Sequence, residues 1–84
     1  MSTYERVKRV LVRSLGYLPE EVEPQFSLWG DLAFDSLKMM EFAMALEDQF
    51  DISMDDSRDY EKMSVQDIVE IVDTELVRAP AAVR

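Results

Sequence analysis

The chain has 84 residues, enough for one small domain that buries about 60–65% of its unfolded surface and leaves little room for an enclosed active site. Eighteen acidic against nine basic residues give a formal charge of −9, which opposes binding to nucleic acid or to an anionic membrane and favours protein partners with a positive surface. There is no histidine and no cysteine, so a Ser-His-Asp triad, a Cys-His pair and an imidazole or thiolate zinc site are excluded by composition.

Ser2 followed by Glu5 is a capping-box pattern, and Tyr4, Val7, Val10, Leu11 and Leu15 recur at near-helical spacing, which predicts a first helix to about Leu15. Gly16 suits the left-handed position after a helix, and Pro19 and Pro24 bar an uninterrupted second helix through the next segment. A long loop from about Gly16 to Asp35 results. Val22, Phe26, Leu28, Trp29 and Leu32 are its expected anchors to the core, since unanchored loops of this length are uncommon in small domains.

Ser36 to Phe50 lacks Gly and Pro and is rich in Leu, Met, Ala and Glu, which predicts the second helix, with Asp35 or Ser36 capping its first turn. Asp51 to Lys62 reads as a loop with one short helical turn near Ser57 to Glu61. The last helix starts with Ser64 as N-cap and Asp67 in its first turn. Val65, Ile68, Val72 and Leu76 lie on one stripe that Val69 and Ile71 widen. With no period-two alternation and no repeat, the expected fold is all-α: three main helices plus one short helix, with a long loop between the first two. The domain is expected over residues 1–78, with a flexible tail at 79–84. The longest apolar run, Phe42 to Leu46, is far shorter than the roughly 18 residues of a membrane span, and the N-terminus lacks a signal-peptide pattern, so a cytoplasmic location is expected; a monomer is expected as well.

The second helix carries two apolar stripes where a core helix needs one. Met39, Phe42, Ala43, Leu46 and Phe50 form a wide core stripe, while Leu37, Met40 and Met44 form another, bordered by Glu41, Glu47 and Asp48. On the helical pattern alone the second stripe is either a docking face or core facing the long loop. Methionine repacks readily against different partners, and an acidic border steers basic surfaces into register.

Asp35-Ser36-Leu37 stands where the loop ends and that helix begins. No residue here can serve as the usual base for a serine nucleophile, so a reactive Ser36 would be modified by another enzyme; its bland role is an ordinary cap. Asp51, Asp55 and Asp56 resemble a calcium loop only superficially. An EF-hand beginning at Asp51 needs Gly where Asp56 stands and Glu where Lys62 stands, which leaves at most a weak, nonspecific divalent site.

Asp31-Leu32-Ala33-Phe34-Asp35-Ser36-Leu37, followed by Glu41, Met44-Ala45-Leu46-Glu47 and Phe50-Asp51, resembles the recognition helix of the acyl carrier protein family. Arg6-Val7-Lys8, Leu15-Gly16, Glu20-Glu21-Val22, Ser27 and Val65-Gln66 extend the resemblance over about Thr3 to Val77. The resemblance implies that Ser36 receives a 4′-phosphopantetheine arm from coenzyme A, attached by a magnesium-dependent phosphopantetheinyl transferase, with Asp35 orienting the serine and the metal. The arm would carry acyl or aminoacyl thioesters to a ligase, a ketosynthase or other acyl-processing enzymes. Leu37, Lys38, Met40, Glu41, Met44, Glu47 and Asp48 would form the docking face, Asp55 and Asp56 a second acidic contact, and cargo would enter near Leu46, Met54, Ile68 and Val72.

Three features depart from the fatty-acid pattern. Ala33-Phe34 replaces Gly and a small residue, with Phe34 similar to carriers of modular polyketide synthases, Lys38 replaces a commonly acidic residue, and Arg58 interrupts the acidic segment. These departures point to a free-standing carrier of a specialised polyketide, modified-lipid or aminoacyl pathway. The alternative from another class is an unmodified acidic helical adaptor that binds a basic partner through Leu37, Met40 and Met44.

Overall fold

Each helix begins where a side chain is placed to take up its first unpaired N–H groups. In the computed structural model, which describes residues 1–78, the helices are α1 (Thr3–Leu15), α2 (Ser36–Phe50) and α3 (Val65–Arg78), with single 3-10 turns at Pro19–Glu21 and Tyr60–Lys62. Before α1, the Ser2 hydroxyl accepts from the Glu5 N–H at 3.1 Å and Glu5 Oε1 accepts from the Ser2 N–H at 3.2 Å. Ser64 and Asp67 repeat this exchange at α3, at 3.2 and 2.9 Å. Asp35 caps α2, its Oδ1 accepting from the Lys38 N–H at 2.8 Å. Gly16 closes α1 at φ 83°, a left-handed conformation that glycine adopts without a Cβ clash.

Val7, Val10 and Leu11 of α1 meet Met39, Phe42, Leu46 and Phe50 of α2 and Val65, Ile68, Val69, Ile71 and Val72 of α3 in one core. Burying side chains of this size contributes roughly 1.5–3 kcal/mol each before conformational entropy is subtracted. Among the expected loop anchors, Val22, Leu28 and Leu32 are buried and Phe26 and Trp29 are half-buried. The loop is also tied by its backbone. The Leu28 N–H donates to the Met63 carbonyl at 3.0 Å, Val65 to Phe26 at 2.9 Å and Gln66 to Pro24 at 2.8 Å, so the middle of the loop is pinned to the start of α3.

Three details differ from the sequence reading. The short turn expected at Ser57 to Glu61 lies at Tyr60–Lys62, because the Asp55 carboxylate takes the Ser57 N–H and hydroxyl and holds residues 55–57 in a tight non-helical turn. Leu76, expected on the core stripe, is 37% exposed, because burial along α3 ends at Val72 and only Glu75 is half-buried beyond it. The turn at Pro19–Glu21 arises from proline at its first position and from Glu21 Oε1, which accepts from the Leu18 N–H at 2.8 Å. The tail expected at 79–84 lies outside the described residues.

Candidate functional site

The approach to Ser36 is held by aromatic packing. Phe34, 4% exposed, sets its ring edge-on to Phe42 at 5.5 Å and lies 6.0 Å from Trp29 and 6.2 Å from Tyr17. Tyr17 donates its hydroxyl to the Leu32 carbonyl at 2.6 Å, and the Phe34 N–H donates to the Leu28 carbonyl at 2.9 Å. Burial, with the nearby Glu21 and Asp35 carboxylates, pushes the Tyr17 phenol above its ordinary pKa, so it remains a donor. A Cβ at Gly30 would displace the Ser27 hydroxyl, which accepts from the Asp31 N–H at 3.0 Å. Ala33 adopts a left-handed φ of 55°, a conformation that suits glycine and that an alanine enters at a cost of about 1–2 kcal/mol.

Ser36 is the first residue of α2 and is exposed, and its hydroxyl makes no hydrogen bond among the described residues. The choice of cap between Asp35 and Ser36 is therefore settled, and it leaves Ser36 free. A helix N-terminus carries a partial positive charge and spare N–H groups, which suit a phosphate ester on that oxygen. Two shallow grooves meet at Ser36. One, of about 200 Å³, is lined by Trp29, Met39, Arg58, Asp59, Tyr60 and Glu61; the other, of about 390 Å³, runs past Met39, Met40, Ala43, Met44, Glu47, Asp56 and Tyr60. Tyr60 borders both and donates to the Asp55 carbonyl at 2.7 Å. Burial raises its phenol pKa, against an opposing effect of Arg58. Sequence reasoning missed Tyr60 and Trp29 as site residues, because neither stands in a periodic segment.

The second stripe of α2 is surface, not core: Leu37, Met40 and Met44 are 64%, 60% and 62% exposed. Glu41 and Asp48 border it in solvent. Glu47 is half-buried, and its Oε2 accepts from the Met54 N–H at 2.8 Å, which fastens the second loop to α2. Lys38 holds its ammonium 5.4 Å from the Tyr17 ring. Asp55 and Asp56 are exposed, and hydrogen bonds from the Ser57 N–H and hydroxyl hold the Asp55 carboxyl below the usual carboxylate range. Arg58 pairs with Glu75 at 3.7 Å, so it ties the loop to α3. Leu46, Met54, Ile68 and Val72 are all buried in the core, whereas the grooves at Ser36 are lined by other residues.

The arrangement presents a hydroxyl without an activating imidazole or thiolate, flanked by an exposed apolar stripe and carboxylates, and is chemically a recipient rather than a catalyst. Residues 5–72 match the family model described as a phosphopantetheine attachment site. Two curated relatives, the acyl carrier proteins of Nitratidesulfovibrio vulgaris strain DP4 and of its Hildenborough strain, are each 38% identical over 72 residues, covering 86% of this chain and 95% of theirs. The chain belongs to the phosphopantetheine-attachment family and is a noncatalytic carrier protein of acyl-carrier type, bearing a covalent 4′-phosphopantetheine arm. Membership sets aside the unmodified adaptor. The arm supplies the thiol that carries a thioester, and the protein supplies its attachment, orientation and docking.

Proposed function

We propose that Ser36 is the attachment point of the arm and that Leu37, Met40, Glu41, Met44 and Asp48 form the face on which the transferase and acyl-processing enzymes dock. The single observation that carries this reading is that Asp35 caps α2 and leaves the Ser36 hydroxyl exposed and unbonded at the helix N-terminus. Asp35 would orient the serine and the transferase's metal, and Asp55 and Asp56 would add an acidic contact across the groove. Glu47 acts in this reading chiefly by holding Met54 in place. Cargo would leave the groove by parting α2 from the loop after it, reaching the packed side chains of Leu46, Met54, Ile68 and Val72.

The carrier would serve fatty acid, polyketide or related specialised biosynthesis in the cytoplasm, with acyl or aminoacyl cargo. No helix among the described residues is long and apolar enough to cross a membrane. Lys38 supports the specialised branch, since a cation at the docking face weakens attraction to basic patches built for acidic carriers. Equal turnover by housekeeping fatty-acid ketosynthases would contradict that branch alone. The attachment itself is tested by intact mass after incubation with coenzyme A, magnesium and a broad-specificity transferase: a gain of about 340 Da, the mass of the arm from its chemical formula, is expected on the wild type and not on Ser36→Ala.

A further inference from the structure

Four of the nine cationic residues of this acidic chain stand together. Arg6, Lys8, Arg9 and Arg13 all lie on α1, where Glu5 is the one carboxylate. Arg6, Arg9 and Arg13 follow one edge of the helix and border a cleft of about 210 Å³ that Met1, Val10, Ser14, Gln49 and Phe50 complete. Gln49 and Phe50 are the last residues of α2, while Ser36 is its first, so about 20 Å of helix separates this cleft from the attachment site.

The cleft has one fixed cationic wall. The Arg6 guanidinium lies 4.2 Å from the centroid of the Phe50 ring and donates to the Gln49 carbonyl at 3.3 Å, so its position is set by the fold. Arg13 stands in the last turn of α1, where it complements the helix dipole. Arg9 is exposed, and neither of those roles accounts for it. Among the described residues the side-chain ion pairs Arg58–Glu75, Lys62–Asp59 and Arg78–Glu75 draw on cations outside α1.

We infer that the Arg6/Arg9/Arg13 edge is a second docking surface, for a carboxylate-rich helix of another protein, and that it holds the carrier from behind while Ser36 and the Met40/Met44 stripe stay free. Charge complementarity selects this occupant. An extended polyanion such as a lipid surface or a duplex meets the whole field of a −9 chain and is repelled, whereas a local acidic patch meets the α1 edge alone. A second copy of this chain carries the same −9 and is disfavoured by the same repulsion. Arginine forks give directional contacts to carboxylates, and the buried Val10 and Phe50 beneath them hold that edge of α1 in place.

The test is an amide chemical-shift titration of the unmodified protein with a synthetic glutamate-rich amphipathic helix, at low and at physiological salt. Shifts are expected at Arg6, Arg9, Arg13 and Gln49, with Ser36, Met40 and Met44 unmoved, and affinity should fall with salt. Arg9→Gln with Arg13→Gln removes exposed side chains, so the fold should persist with its melting temperature lowered only by the small dipole contribution of Arg13, while binding weakens about tenfold. Absence of binding, equal binding of a glutamine-for-glutamate peptide, or shifts spread over Lys62 and Arg78 would each overturn the inference. Tighter binding to phosphatidylglycerol vesicles or to a DNA duplex, or concentration-dependent sedimentation of the protein alone, would reassign the surface to another occupant. None of these outcomes depends on modification of Ser36.

Discussion

Two loops flank Ser36, and they are held in different ways. The loop of residues 17–35 is fastened by buried aromatic rings and by backbone hydrogen bonds to the segment leading into α3. The loop of residues 51–64 also buries Ile52 and Met54, but its remaining ties are polar and stand nearer to water: Glu47 on the Met54 N–H, Tyr60 on the Asp55 carbonyl, and the Arg58–Glu75 pair. Buried packing withstands thermal fluctuation, whereas part-exposed polar ties open at low cost. The first loop therefore fixes where the serine stands, and the second is the more readily opened wall of the grooves beside it. Amide hydrogen exchange should show Leu28, Leu32 and Phe34 far better protected than Arg58, Tyr60 and Lys62; equal protection would break the comparison.

The largest expected effect is that of Phe34→Ala, which empties the centre of the aromatic cluster and should destabilise the domain by about 3–5 kcal/mol in chemical denaturation. A loss below about 1 kcal/mol would show that the first loop is not fixed by that ring. Asp35→Ala should cost about 0.5–2 kcal/mol through loss of the α2 cap. It should also slow modification at Ser36 by more than that instability explains, because the freed serine would be drawn into capping. On the second loop, Tyr60→Phe removes one hydrogen bond and should cost only about 0.5–1.5 kcal/mol, while exchange of residues 55–60 quickens.

Ala33→Gly runs the other way. Relief of the left-handed alanine, about 1–2 kcal/mol, exceeds the roughly 0.4–1 kcal/mol lost to a more flexible unfolded chain, so the variant should be slightly more stable. A clear loss of stability would refute the strain. The smallest effect concerns protonation. Asp55 titrates below the ordinary carboxylate range in the folded state, so its contribution is present above that range and fades as pH falls through its lowered pKa. Ser57→Ala removes the hydroxyl but keeps the backbone N–H, the larger cause, so it should return the Asp55 titration only part of the way toward the ordinary value, observable by carboxyl carbon NMR.

Much of the frame could be read from the sequence because its signals are local. The Ser2/Glu5 and Ser64/Asp67 boxes, Gly16 and the unbroken stretch from Ser36 to Phe50 set all three helices without help from distant residues. The site was half visible. Spacing gave the Leu37/Met40/Met44 stripe, yet only burial decides that it faces solvent, and only the hydrogen bond to Lys38 decides that Asp35 and not Ser36 is the cap. The inward turn of Glu47, the pairing of Arg58 with Glu75 and the place of Tyr60 between two grooves depend on contacts between separate segments, for which no periodic signal exists. Phe34, Lys38 and Arg58, which depart from the fatty-acid pattern, each hold an intramolecular contact as well.

The most direct measurement of the central claim is to digest the transferase-treated protein and locate the added arm by fragment mass spectrometry. The account requires every adduct to lie on Ser36, the hydroxyl left free by the Asp35 cap at the start of α2. An arm found on Ser27, Ser57 or any other residue, or an unmodified Ser36 in a protein that has gained the mass, would contradict it.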